Sequence, residues 1–323
     1  MEIFKSNKSY NFMGKRLPFL GFSMLLVIAS FVLLFTKGLN LGIDFSGGTL
    51  VQVKYTQTAP IKEIRTVLSK NIQFDKSTVT EFGTPEEVII KIPTTSSSIE
   101  KDIGDEIRAL LKQTGEFEIR RVDIVGPKVG DALQEKGIMA LSLALFVILI
   151  YVSFRFEWRF AVASILALIH DISIALGAIV LFSVDVNLDI LAAILTILGY
   201  SLNDTIIVFD RIREGVTTSK ENDLDKVVNQ SVSNTLSRTT LTSLTTFFVV
   251  LTLYLFGGEI INGFSFTLLV GIVVGTYSSI FVAASFLVQL NFSISKYREN
   301  EALKEKRSKD KDKLRAQFEQ GTV

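Results

Sequence analysis

Four polar residues lie inside long apolar stretches of this 323-residue chain. His170 and Asp171 fall near the middle of one stretch, and Asn203 and Asp204 lie toward the end of the next. A charged side chain in hydrocarbon costs about 2.5–3.5 kcal/mol on insertion scales, so such residues usually face a cavity or a partner. Two interpretations are open, a pair that holds helices together or a route for protons. The occurrence of several such groups in one bundle favours the second.

The residues around Asp204 follow the period of a helix. A spacing of i, i+4, i+7 and i+8 predicts one polar stripe, and that spacing is shown by Thr196, Tyr200, Asn203 and Asp204. A buried carboxylic acid on a water-lined stripe can take up and release protons during a working cycle. Asp204 lies about 8 Å from the end of its span, a depth that an arginine side chain can reach. The nearest cation by topology, Arg238, either pairs with Asp204 or extends to the membrane interface.

No spacing typical of an enzyme or a metal site accompanies these residues. The chain has one histidine and no cysteine, which argues against a metal site and excludes disulfides and thiol chemistry. The segment GIDFSGG at 42–48 lacks the GxxxxGK[ST] pattern, which argues against nucleotide binding. The net charge of +1 gives no sign of nucleic acid as a partner. We therefore expect no enzymatic activity and no cofactor, with protons as the coupling ion.

Six apolar stretches are long enough to cross a bilayer, which takes roughly 20 residues. Hydrophobic residues make up 48% of the chain and concentrate at 17–35, 137–154, 160–182, 186–209, 239–256 and 264–290. This pattern predicts an α-helical polytopic membrane protein with a six-helix transmembrane bundle and membrane lipid around it. The first stretch follows a basic segment and is longer than the core of a signal peptide, so we expect it to be a retained anchor.

The distribution of charge predicts the orientation. Lysines and arginines lie before the first span, in the 155–159 turn, in the loop at 210–238 and in the tail, and are absent from 183–187 and 257–263. The positive-inside rule places both termini in the cytoplasm. The predicted domains are a cytoplasmic N-terminus (1–16), a first transmembrane helix (17–36), an extracytoplasmic, periplasmic domain (37–136), helices two to six (137–290) with the cytoplasmic loop 210–238, and a charged cytoplasmic tail (291–323). The tail is expected to be solvated and partly disordered.

The extracytoplasmic domain has the pattern of a small α+β fold. Strands are predicted at 50–55, 77–82, 87–92 and 116–125, and helices at 61–70 and 99–113. The order βαββαβ indicates a ferredoxin-like sandwich. The cytoplasmic loop contains an amphipathic helix, at 222–237, expected on the membrane surface or on the bundle.

The sixth span carries a small residue at every fourth position, a pattern that lets another helix approach closely. These residues are Thr267, Gly271, Gly275, Ser279 and Ala283. They predict helix packing and not a binding site.

Four segments of the chain resemble the SecF family of protein-export membrane proteins. They are LGIDFSGGTLV (41–51), GYSLNDTIIVFDRIRE (199–214), TLSRTTLTS (235–243) and VGTYSSI (274–280). The resemblance implies half of a resistance-nodulation-division (RND) type transporter, located in the bacterial cytoplasmic (inner) membrane. It also implies that such a subunit pairs with SecD in a SecDF complex and uses the proton-motive force to help the SecYEG channel translocate preproteins, with YajC and YidC as further candidate partners.

The resemblance also assigns residues. The family's membrane carboxylate falls on Asp204 and its arginine on Arg238, while His170 and Asp171 match its third-span His-Asp without a firm role. Its glycine motif after the first span falls on Gly42, Asp44, Gly47 and Gly48. The predicted mechanism is a change in protonation of Asp204 at the interface with SecD, which shifts the outer domain between conformations. Half of a proton-driven small-molecule exporter and a structural scaffold remain as alternatives.

Overall fold

The α/β domain follows the first membrane helix. The computed structural model describes residues 9–93, 103–290 and 292–319. After one 3-10 turn, the first apolar stretch forms helix α1 (Arg16–Lys37). The elements of the α/β domain are α2 (Ile43–Ser46), β1 (Gly48–Tyr55), α3 (Ile61–Ser69), β2 (Thr78–Phe82), β3 (Thr84–Ile92), α4 (Ile103–Leu111) and β4 (Phe117–Val125).

The four strands form one antiparallel sheet in the order β2-β3-β1-β4. This order confirms the ferredoxin-like prediction. Alternation along β1 directs Val51 and Val53 to the face that the helices cover, where they are fully buried with Ile64 of α3 and Ile107 of α4. The predicted helix at 99–113 is observed as α4, and its first four residues lie outside the described part of the chain.

The remaining long helices complete a membrane bundle. They are α5 (Pro127–Arg155), α6 (Trp158–Leu181), α7 (Leu188–Thr218), α8 (Leu224–Phe256) and a sixth span made of α9 (Glu259–Ser278), a π-helical segment (Ser279–Ala283) and α10 (Ala284–Gln289). Within the described residues, six helices are long and apolar enough to cross a membrane, as predicted. Helices α6, α7 and the sixth span are the most buried of the six, so they form the interior of the bundle.

The connection between α7 and α8 is shorter than the loop predicted at 210–238. The two helices leave only residues 219–223 between them. Packing is the reason, because Ile212 of α7 is fully buried in the same core cluster as Val228 and Val232 of α8. The predicted amphipathic segment therefore lies on the bundle, one of the two places considered, and is continuous with the fifth span.

The start of the charged tail is fixed to the bundle, while residues 302–313 are exposed, in agreement with the solvated end that the composition predicts. Helix α11 (Ile294–Glu319) begins with a buried Ile294. Arg298 donates to the carbonyl oxygens of Val216 and Ser219, at 2.7 Å each, where α7 ends. A cation that binds free carbonyls at a helix C-terminus satisfies their hydrogen-bonding capacity and the helix dipole together. Composition alone did not reveal this anchor.

Small residues of the sixth span bring α9 close to α7. A Cβ atom at Gly271 would lie 2.2 Å from Cγ1 of Ile197, and one at Gly275 would lie 3.0 Å from Cβ of Ser201. Ser279 is fully buried at the start of the π-helical segment, and its hydroxyl donates to a backbone carbonyl one turn earlier at 3.0 Å. The two glycines thus occupy a contact where a larger side chain has no room.

We predict that Gly271→Leu lowers the thermal denaturation midpoint of the chain purified in detergent. The new side chain meets the β-branched Ile197, and overpacking of this kind costs about 1–3 kcal/mol. The control is Gly21→Leu on α1, where an added Cβ atom has no neighbour within 4 Å. Replacing glycine by leucine raises helix propensity at both positions, so the difference between the two variants reports the effect of packing. Equal midpoints for the two variants would show that the α7–α9 contact is not tight.

Candidate functional site

Asp171 is the centre of a polar cluster in the bundle interior. Its carboxylate is 0% exposed and accepts hydrogen bonds from Ser201 Oγ of α7 (2.5 Å) and Ser278 Oγ of α9 (2.8 Å). The Nδ1 atom of His170 lies 2.8 Å from its other oxygen. No lysine or arginine pairs with Asp171 within the part of the chain that the structure describes. Three helices therefore meet at a carboxyl group whose partners are two hydroxyls and an imidazole.

His170 connects this cluster to the first membrane helix. Its ring is stacked on that of Tyr277, with 6.3 Å between the ring centroids. The hydroxyl of Tyr277 donates to the carbonyl oxygen of Phe19 (2.8 Å) and lies 3.0 Å from Ser23 Oγ, both on α1. The Nε2 atom of His170 is buried and has no hydrogen-bond partner among the described residues. With Nδ1 directed at the carboxylate, Nε2 is the ring nitrogen that no described group satisfies.

Asp204 is a second buried acid, and it lies on α7 one turn after Ser201, the residue that binds Asp171. Its side chain is 1% exposed and accepts one hydrogen bond, from Ser243 Oγ of α8 at 3.1 Å. Because Ser201 and Asp204 are three residues apart, they lie on adjacent turns of the same helix, about 4.5 Å along its axis. The two carboxyl groups thus belong to one region of the bundle. In the described chain, no group of three or more histidines and acids is arranged to hold a metal ion.

Arg238 does not complete this site. Its side chain is exposed and forms no ion pair with Asp204 in the structure, where the described partner of the carboxylate is Ser243. Depth left two positions open for Arg238, and the structure does not form the pair with Asp204 because of the direction of the side chain around α8. Ser243 is five positions after Arg238, which corresponds to about 7.5 Å along the helix and a turn of about 140° around it. Arg238 therefore points away from the face of α8 that meets Asp204.

The predicted polar stripe on α7 is divided between two environments. Thr196 and Asn203 are exposed on the outer surface of the bundle, Tyr200 is half-buried, and Asp204 points into the interior. Neighbouring residues of a helix differ by about 100° in direction. Asn203 therefore faces the outer surface of the bundle, while Asp204 faces its interior. The exposed part of the stripe is a polar surface on a membrane helix.

Sequence reasoning missed the hydroxyl groups that surround the two acids. A serine or a tyrosine in a membrane helix does not by itself indicate a site, because both are common there. The residues missed for this reason are Ser201, Ser243, Ser278 and Tyr277. A signal was nevertheless present, since each of the four lies within one of the short segments at 199–214, 235–243 and 274–280 that carry the family resemblance.

The motif after the first span joins the α/β domain to the bundle. Asp44 Oδ2 accepts a hydrogen bond at 3.0 Å from the amide of Leu188, the first residue of α7. The amide of Gly42 donates to the carbonyl oxygen of Val186 at 2.7 Å, and a Cβ atom at Gly42 would lie 3.1 Å from that oxygen. Asp44 thus satisfies an amide that the helix leaves free at its N-terminus. The α/β domain contributes directly to the start of α7.

The two following glycines let the chain enter the sheet. Gly47 and Gly48 have φ values of 69° and 139°, and a Cβ atom at Gly48 would lie 2.7 Å from the carbonyl oxygen of Ile92. On the same sheet, Lys91 forms an ion pair with Asp185 in the connection between α6 and α7. These contacts attach the domain to the N-terminus of α7, the helix that carries the second buried acid.

Two family profiles match the chain. The profile described as "Protein export membrane protein SecD/SecF, C-terminal" matches residues 106–293, and "SecD/SecF GG Motif" matches residues 32–59. The chain belongs to the SecD/SecF family of protein-export membrane proteins. It is 49% identical to protein translocase subunit SecF of Helicobacter pylori strain J99 over 100% of both chains. It is 44% identical to SecF of Vibrio alginolyticus, with 90% of this chain and 92% of the relative covered.

A solved structure shows the same architecture. SecDF of Thermus thermophilus, a translocon-associated membrane protein, has 34% sequence identity and a TM-score of 0.82 over 90% of this chain. This chain spans 40% of that longer chain. The match confirms a multi-pass helical membrane protein with an RND-type bundle and one α+β domain.

Proposed function

We propose that this chain is a SecF-type subunit of a SecDF complex in the bacterial cytoplasmic membrane, where it uses the proton-motive force to assist Sec-dependent translocation of preproteins. The family and its translocase relatives support the export role. One observation carries the proposed coupling to protons. Asp171 and Asp204 are both buried, and in the described chain neither pairs with a lysine or an arginine.

Hydroxyl partners suit a group that changes protonation. A serine hydroxyl donates to a carboxylate and, after rotation about its C–O bond, accepts from a carboxylic acid. Ser201, Ser278 and Ser243 can therefore act as partners of either form of their acid. An arginine only donates, so it would hold the ionised form alone. This arrangement favours proton exchange over a purely structural role.

The contacts of α7 provide a path from the acids to the α/β domain. Asp204 lies on α7, and the first amide of the same helix is bound by Asp44 of the domain. A tilt or shift of α7 on protonation therefore moves the residues on which the domain rests. We propose that this movement shifts the domain between conformations that hold and release an emerging preprotein.

The proposed orientation and partners follow from charge and exposure. Both termini lie in the cytoplasm and the α/β domain lies outside, because basic residues concentrate at the opposite end of the bundle. The exposed Thr196 and Asn203 lie on a membrane helix, where a polar side chain usually has a protein neighbour. We assign this face to SecD. The SecYEG channel, YajC and YidC are proposed as further partners on the family resemblance.

The test is preprotein translocation into inverted membrane vesicles from cells depleted of this chain. Restoring the chain should raise the yield of translocated precursor in energised vesicles, and a proton uncoupler should remove that increase. Mild solubilisation should recover a homologous six-span partner together with channel subunits.

Two outcomes would overturn the proposal. An increase that persists in the presence of the uncoupler would indicate a scaffold that consumes no proton gradient. Sensitivity of a deletion strain to toxic compounds, without accumulation of precursors, would indicate a small-molecule exporter.

A further inference from the structure

A cleft of about 360 Å³ lies at the end of the bundle opposite the α/β domain. It is formed by the turn between α5 and α6, by α7 and by the first turns of α11. Four basic side chains line it, and we call it the basic cleft: Arg155, Arg213, Lys304 and Arg307. The proposed proton route does not pass through this cleft.

Two of the arginines are held in place without being neutralised. The guanidinium groups of Arg155 and Arg213 share one carboxylate, that of Asp210, at N–O distances of 3.1 and 3.3 Å. Both also lie against the ring of Phe156, at 5.1 and 5.6 Å from its centroid. One carboxylate compensates one of the two guanidinium groups, so one positive charge is left beside the ring of Phe156.

The tail helix adds further positive charge. Lys304 is paired with Glu301 at 2.8 Å, while Arg307 forms no ion pair with any residue that the structure describes. The last acid of the cleft, Glu157, is paired with Arg159. With these pairs counted, two cationic side chains around the cleft lack a carboxylate of their own. Such a concave site is complementary to an anionic group.

The level of the cleft along the membrane normal indicates the source of the anion. Phe154, in the last turn of α5, is 90% exposed, and Trp158, the first residue of α6, is 55% exposed. Aromatic side chains at the ends of membrane helices lie at the boundary between hydrocarbon and headgroups. The mouth of the basic cleft therefore opens at the level of lipid phosphates.

We propose that the basic cleft binds the headgroup of an anionic phospholipid, with its phosphate between Arg213 and Arg307. Guanidinium groups bind phosphate oxygens in pairs, and basic pockets between membrane helices select anionic headgroups. Tyr297 also lines the cleft. Burial raises the pKa of Tyr297 to about 12, so its hydroxyl stays protonated and available as a donor. A bound lipid would connect α11 to α5 and α7.

The test is native mass spectrometry of the full-length chain in detergent with added phosphatidylglycerol or phosphatidylcholine. The wild type should retain phosphatidylglycerol about tenfold more strongly than phosphatidylcholine. Arg213→Gln with Arg307→Gln should abolish this preference. Arg307→Gln alone should weaken it, and this variant breaks no ion pair among the described residues. The matched control, Lys311→Gln with Lys313→Gln, removes the same charge from exposed positions of α11 and should keep the preference.

Each other outcome counts against the proposal. Equal retention of the two lipids by the wild type would show that the cleft does not select anionic headgroups. An unchanged preference in both cleft variants would place the lipid elsewhere. Displacement of phosphatidylglycerol by millimolar inorganic phosphate would identify a site for free phosphate and not for a lipid headgroup.

Discussion

Asp204→Asn is expected to reduce proton-dependent translocation in energised vesicles to near the level without the chain, a loss of about tenfold or more. The amide oxygen of asparagine can still accept the hydrogen bond from Ser243, which the carboxylate accepts at 3.1 Å. The bundle should therefore stay folded, as a thermal denaturation midpoint near that of the wild type would show. What the variant lacks is a group that can hold a proton. Asp204→Glu should restore part of the activity.

The control for this prediction is Asp189→Asn, which makes the same chemical change at an exposed position of the same helix. It should translocate like the wild type. Wild-type, uncoupler-sensitive translocation by Asp204→Asn would contradict proton coupling through this residue. A scaffold makes a different prediction, namely rescue of Asp204→Leu by Arg238→Leu. We expect no rescue, because Arg238 is exposed and does not contact the carboxylate.

Asp171→Leu is expected to cost the bundle about 2–6 kcal/mol, since it leaves two buried groups without an acceptor at about 1–3 kcal/mol each. The groups concerned are Ser201 Oγ and His170 Nδ1, both within 2.8 Å of the carboxylate. Ser278 Oγ also loses the carboxylate, but it keeps the carbonyl oxygen of Gly275 as an acceptor at 3.1 Å. The measurement is the thermal denaturation midpoint in detergent. Asp171→Asn keeps one acceptor oxygen and should retain most of the stability, but it should lose proton-dependent translocation.

The matched control is Ser164→Ala on the same helix. Its hydroxyl is buried and has no hydrogen-bond partner among the described residues, so its removal should not lower the midpoint. A midpoint for Asp171→Leu that equals that of Ser164→Ala would show that the carboxylate does not hold α6, α7 and α9 together. Full translocation by Asp171→Asn would assign the cluster a structural role only.

The sequence by itself determined the elements of this protein. A helix that crosses about 30 Å of hydrocarbon needs a continuous apolar run, and alternation along a strand reports which face is buried. Both are local properties, so the six spans and the βαββαβ domain could be read directly. The two buried acids could be found in the same way, because a carboxyl group in an apolar run is conspicuous.

Tertiary structure alone decided which side chains meet those acids. The depth of Arg238 allowed either a pair with Asp204 or an extension to the membrane interface. On α8 the side chain of Arg238 points outward, and Ser243 is the residue that contacts the carboxylate. The partners of Asp171 come from two other helices, at positions that carry no charge and break no pattern. Rotation and separation of helices are set by contacts such as that between Gly271 and Ile197. Periodicity describes each helix about its own axis and contains no information about the neighbour that it faces.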